Sequence, residues 1–162
     1  MRSARKAGLL VLFLLAAAGP SAAAGPVDTS AIAQTIKADV ARLVAGLNAH
    51  DAVKTTSYDA QDVVSMECGS PPTVGVNADR DGFKQGFAHD PDWKVHLINE
   101  TVDASSSGDL AVYRGVYNED NGDAGVLTTH KTNFIAEFRR EGRGPWRIVW
   151  YSVSNMERSH PK

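Results

Sequence analysis

The chain has a single cysteine, Cys68, so no disulfide framework can staple it internally. Lysine and arginine number 17 against 19 acidic residues, a balance that gives no basic face for nucleic acid. The longest apolar run is ten residues, Leu9 to Ala18, about half of what a stable membrane span needs. No H-E-x-x-H, paired-cysteine, phosphate-cradling glycine or G-x-S-x-G pattern occurs, and the five histidines lack metal-ligand spacing. No metal and no cofactor are therefore expected. Asn77-x-Asp79-x-Asp81-Gly82 opens like a calcium loop, but the twelfth position is Ala88, and helix capping by Asp79 accounts for the residues.

What is present begins with a three-part leader. Arg2, Arg5 and Lys6 precede the apolar run, and Gly19-Pro20 and the small residues Ser21 to Ala24 follow it. This is the pattern of a secretory signal peptide, residues 1–24, with cleavage after Ala24. Cleavage leaves 138 of the 162 residues, with 14 cationic against 19 anionic side chains, a net charge of −5. The expected location is periplasmic or secreted, with no stable membrane anchor and no nucleic-acid partner. Residues 25–158 then form one domain and 159–162 a flexible tail. In an exported chain Cys68 is either a buried, inert thiol or a partner for another chain.

Periodicity divides the domain into helices and then strands. Asp28, Thr29 and Ser30 offer caps for a first helix, whose apolar face is Ile32, Ile36, Val40, Leu43, Val44 and Leu47. Asp51 caps a short second helix through Thr56, Val63 to Glu67 reads as a strand, and Asp79 caps a third helix carrying Phe83 and Phe87. From Trp93 the period becomes two. Strands are predicted over 93–104, 110–118, 127–140 and 146–155, with Asn121-Gly122 as a hairpin turn. Three helices before a four-strand antiparallel meander give an α+β fold. Alternation places Ala111, Tyr113, Gly115 and Tyr117 on one face, and His130, Thr132, Phe134, Ala136 and Phe138 on one face of the next strand. His96 falls with Lys94, Ile98 and Glu100, and of Trp150 and Tyr151 only one can face inward.

Leu43-Val44-Ala45-Gly46-Leu47-Asn48-Ala49-His50-Asp51, then Tyr58 and Asp62-Val63-Val64, and finally Gly142 to Ile148 and Ser152 to Asn155 carry a likeness. In order and spacing they resemble the nuclear transport factor two-like superfamily, which includes ketosteroid isomerase, scytalone dehydratase and the SnoaL-like cyclases. The resemblance implies a cone: three N-terminal helices packed against a curved, mainly antiparallel sheet, with a pocket open at one end and a homodimer formed through the sheet. It also implies candidate residues. Glu67 falls where ketosteroid isomerase keeps its general base, with His130 as a partner and Asp62 as a further acid/base candidate. Tyr58, Tyr113, Tyr117, Phe134 and Trp150 are the pocket candidates. The isomerase's two oxyanion donors fall on Leu43 and Ala136, which offer no proton, so steroid isomerisation itself is not expected. The expected function is binding of a small apolar or aromatic molecule by a non-catalytic module. The alternative is a cofactor-free isomerase, dehydratase or cyclase.

Overall fold

A computed structural model describes residues 26–123 and 126–156. The expected leader at 1–24 and the expected tail at 159–162 lie outside the described residues. Helix α1 spans Thr29–Asn48, and Asp28 caps it by accepting from the Ser30 and Ala31 amides. Helix α2, Ala52–Thr55, is capped in the same way by Asp51. Strands β1 (Asp59–Glu67) and β2 (Thr73–Val74) follow, then α3 (Val76–His89). The strands β3 (Lys94–Ala104), β4 (Leu110–Asp123), β5 (Val126–Arg139) and β6 (Arg147–Asn155) complete the chain. The six strands form one mixed sheet in the order β2-β1-β6-β5-β4-β3. The meander β3 to β6 is antiparallel as expected, and β1 joins it parallel to β6.

Helix α1 packs on one face of this sheet. Its N-terminal half buries Ile32, Ile36 and Val40 against Ala111, Tyr113, Ala136, Phe138 and Ile148. Fully burying an aliphatic side chain of this size contributes about 1.5–3 kcal/mol. Ala111 and Ala136 are fully buried, and their small side chains let the helix approach the strands. Gly115 has a related role: a Cβ there would fall 2.6 Å from the Tyr117 ring and 2.8 Å from that of Tyr113. The C-terminal half of α1 also packs on a second cluster. There Leu47 joins Ala52 and Phe87, with Phe83, Trp93 and Val95 against them. Asn48 ties the helix end to β3: its carboxamide donates to the Val95 carbonyl at 2.9 Å and accepts from the Val95 amide at 2.8 Å.

Four local expectations change. Asp79 does not cap α3; Gly75 does, with a φ of 95° that suits glycine, and Asp79 lies a full turn inside the helix. The calcium-like segment is consequently helical. Asn121-Gly122 is no turn, because β4 and β5 pair as far as Asp123 with Val126. The Asp90 carboxylate instead accepts from the Gly122 amide and from Asn121. Strand β1 begins at Asp59, four residues ahead of the predicted start, because its parallel pairing with β6 reaches back to Ile148. A shift in β3 between Leu97 and Asn99 inserts Ile98 and turns Glu100 inward, away from the face of His96.

Candidate functional site

Between the C-terminal half of α1, α3 and the strands lies a cavity of about 280 Å³. This is the lower end of the range for small-molecule sites. Its walls are mostly apolar. Leu43, Val44 and Leu47 come from α1, Phe83 from α3, and Trp93, Val95, Phe134 and Val153 from the sheet side. The rings are in contact: Phe83 stacks on Trp93 with centroids 5.9 Å apart, and Phe134 meets Tyr151 at 5.6 Å.

The polar groups lie at two depths. Deepest are Asp59 at the start of β1, Asp79 on α3 and Tyr151 on β6, all buried and all lining the cavity. The Tyr151 hydroxyl donates to Asp79 Oδ1 at 2.8 Å. Asp79 Oδ2 is buried and receives no hydrogen bond from a permanent N–H or O–H donor among the described residues. Asp59 explains how this is tolerated. Burial, and the carboxylate of Asp79 beside it, push the Asp59 carboxyl up to about 8, although Arg80 and Arg147 oppose the rise. Around neutral pH the Asp59 carboxyl therefore keeps its proton, which it can donate to Asp79. Burial and the same carboxylate also raise Tyr151 far above an ordinary phenol.

The second level is the mouth. Glu67 ends β1 there, still open to solvent, and Cys68 beside it is exposed. The buried alternative for that thiol is thus corrected: Cys68 follows the last residue of β1, beyond the packed part of the strand. Partial burial raises the Glu67 carboxyl above its ordinary value, with Asp79 and Glu119 adding repulsion. Glu119 is held by two donors, Trp93 Nε1 at 2.8 Å and Thr132 Oγ1 at 2.6 Å.

The structure brings some of the sequence-derived candidates to this cavity and not others. Glu67, Tyr117 and Phe134 line it. Tyr113 lies just behind, with its hydroxyl engaged by Glu100 at 2.9 Å and Tyr117 at 2.5 Å. Burial pushes the Tyr117 phenol up to about 12. His130 sits opposite Glu119 in the β4–β5 ladder, one step beyond Thr132 on the same face, and is not a lining residue. Asp62 is exposed, out of phase with buried Val63 and Ser65. Tyr58 packs at the edge of the main core, and Arg42 reaches its hydroxyl at 3.4 Å.

Trp150 lies on the outer face, where its indole donates to Glu137 at 3.0 Å. The reason is one extra residue. Glu137 pairs with Trp150 but Phe138 pairs with Ile148, so Val149 is inserted as a bulge. Simple alternation from Trp146 and Ile148 would turn Trp150 inward; the bulge turns Tyr151 inward instead. Asp59, Asp79 and Glu119 are cavity-lining residues that periodicity did not single out. Their one sequence signal is a carboxylate adjacent to otherwise buried positions.

No protein-family model matches the chain, and no curated protein matches it. Solved structures do. An NTF2-like protein of unknown function from Pseudomonas putida superposes with a TM-score of 0.67 at 20% identity, over 77% of this chain and 87% of that one. A ketosteroid isomerase-like protein from Erwinia carotovora gives 0.63 at 18% identity, over 77% and 96%. An NTF2-like protein with a cystatin-like fold from Novosphingobium aromaticivorans gives 0.65 at 19% identity, over 78% and 82%.

Proposed function

From the nuclear transport factor two-like fold that this chain shares with those structures, we propose that it is an exported small-molecule-binding protein whose site is the cone cavity. The observation that carries this reading is Asp79 Oδ2. It is a buried acceptor to which no permanent N–H or O–H group among the described residues donates, with only the titrating carboxyl of Asp59 beside it, at the floor of a mostly apolar, aromatic-walled chamber. A buried acceptor left without a partner costs about 1–3 kcal/mol, so a bound molecule offering a donor at that point recovers affinity there. The walls then supply contact area, and the Tyr151–Asp79 hydrogen bond fixes the carboxylate in place. The protein acts as a binding module that pairs through the outer face of its sheet.

The test is direct. The whole chain, purified from its natural host and denatured in organic solvent, should release a small molecule at near-stoichiometric yield by mass spectrometry. A chain that carries nothing, and whose melting temperature no member of a small-molecule panel raises, counts against binding. Gel filtration should give a dimer.

A second reading is favoured by one observation, the proton that Asp59 holds beside Asp79. A carboxyl held near pH 8 gives up its proton in the working range of a general acid, and Asp79 stands beside it. Cofactor-free isomerisation, dehydration or cyclisation would then run from this pair rather than from Glu67 with His130. Deuterium uptake into the recovered ligand in heavy water, lost in Asp59→Asn, distinguishes this from plain binding.

A further inference from the structure

The charge of the cavity narrows the class of ligand, on the premise that the cavity binds one. Its lining includes four carboxyl groups, Asp59, Asp79, Glu67 and Glu119, and no lysine, arginine or histidine among the described residues. The cations nearest the floor are turned elsewhere: Arg80 donates to Thr56 Oγ1 at 3.0 Å, and Arg147 to the Ser57 carbonyl at 2.7 Å. An anion entering this chamber would meet four carboxyl groups in its walls, with the positive charge of Arg80 and Arg147 lying behind the floor. A neutral alcohol would satisfy Asp79 Oδ2 and leave the rest of the field unbalanced.

We propose that the ligand is an organic cation, an amine carried on an apolar and preferably aromatic body, with its ammonium group at Asp79 and Asp59. The ammonium donates to Oδ2 of Asp79, and its charge replaces the proton that Asp59 holds beside it. Charge-assisted hydrogen bonds of this kind are roughly twice as strong as neutral ones. The rings of Phe83, Trp93 and Phe134 give faces to which a cation is attracted as it passes inward. Glu67 and Glu119 set a negative potential at the entrance that draws cations and turns anions away.

Binding by exchange of a proton has a sign. The complex favours ionised Asp59, so a proton leaves as the amine enters, and affinity rises with pH until Asp59 is ionised in the free protein. The charged groups facing Asp59 are Asp79 and Arg80 from α3 and Arg147 from β6. The Tyr151 phenol, also facing it, stays neutral throughout this range. The two arginines remain protonated, so among the groups facing Asp59 the rise belongs to Asp59 itself.

Calorimetric titration of the whole chain with phenethylamine, 2-phenylethanol and phenylacetate, at pH 6, 7 and 8, tests this. The three probes are similar in size and differ in charge. The amine should bind about tenfold tighter than the alcohol or better, as a charge-assisted contact requires, and the acid should give no heat. Amine affinity should climb from pH 6 to pH 8 while that of the alcohol stays level. Asp79→Asn should reduce the preference for amine over alcohol to about threefold or less. Glu67→Gln, at the exposed mouth, keeps the fold whatever the floor variant does, and should lower that preference about twofold through the weaker entrance potential. An alcohol or acid that binds as tightly as the amine overturns the cation and leaves the binding site standing. A parent-like preference in Asp79→Asn overturns the floor as the ammonium position. No heat from any of the three overturns the binding reading, and the cation with it.

Discussion

The floor and the mouth of the cavity are built from the same residue types and behave differently. At the floor, Asp59 and Asp79 are buried side by side, and the strain of two like charges is relieved by the proton on Asp59 and one tyrosine hydroxyl. At the mouth, Glu67 faces the same space but is open to water, which screens its repulsion from Asp79 and Glu119. Depth, not residue identity, turns a carboxylate into a titrating device. A carboxylate in solvent chiefly shapes a potential; a pair out of solvent must bind something, whether a proton or a ligand.

The sharpest way to break this contrast is Tyr151→Phe. Without its hydroxyl, neither oxygen of Asp79 has a permanent donor among the described residues, only the titrating Asp59. Urea unfolding at pH 8 should show a loss of about 1–3 kcal/mol, the cost of an unsatisfied buried acceptor. The next effect concerns pH. The folded value of Asp59 lies above its unfolded one, so its contribution to stability is complete below about pH 4 and lost as pH rises through about 8. Asp59→Asn has no such proton to lose, and its amide can donate to Asp79. The variant should match the parent near pH 4 and exceed it by about 1 kcal/mol or more at pH 9. A parent curve that is flat from pH 4 to 9 would separate the two carboxyls.

Smaller changes belong to the mouth and beyond. Glu67→Gln should alter stability by less than about 0.5 kcal/mol, as surface substitutions do, and leave the slope between pH 4 and 8 in place. A shift as large as that of Asp59→Asn would make floor and mouth one unit. Trp150→Ala is the smallest expected effect on ligand: its indole lies on the other side of the sheet, so affinity in the cavity should stay within about twofold, read by titration.

Much of the fold was legible in the sequence. The apolar face of α1, the caps Asp28 and Asp51, and the inward faces of β4 and β5 follow from period and capping chemistry alone. The site was less legible, for three physical reasons. Asp79 stands where a capping residue could, and only the position of Gly75 shows that the helix has already begun. Asp59 precedes the apolar core of its strand and is recruited by a parallel neighbour nearly ninety residues away, which no local pattern records. The Val149 bulge exchanges Trp150 for Tyr151, and a bulge in a strand of alternating residues leaves no local signature in composition. Glu67 was placed at the cavity by resemblance, and it is there; its partner His130 lies one ladder step too far along β5 to line it.

The clasp of Asn48 on Val95 has a consequence for the molecule among its own copies. β3 ends the sheet, and an edge strand offers free amides and carbonyls to any extended chain that drifts past. At Val95 both groups are already taken, by a side chain that presents the same donor and acceptor as a neighbouring peptide. One asparagine thus serves as a one-residue strand, and the border of the sheet is interrupted where a foreign strand would have to begin its zipper. Colloidal behaviour at high concentration is set here as much as by net charge: Asn48→Ala would reopen the border and favour fibrous, strand-added aggregates over discrete particles.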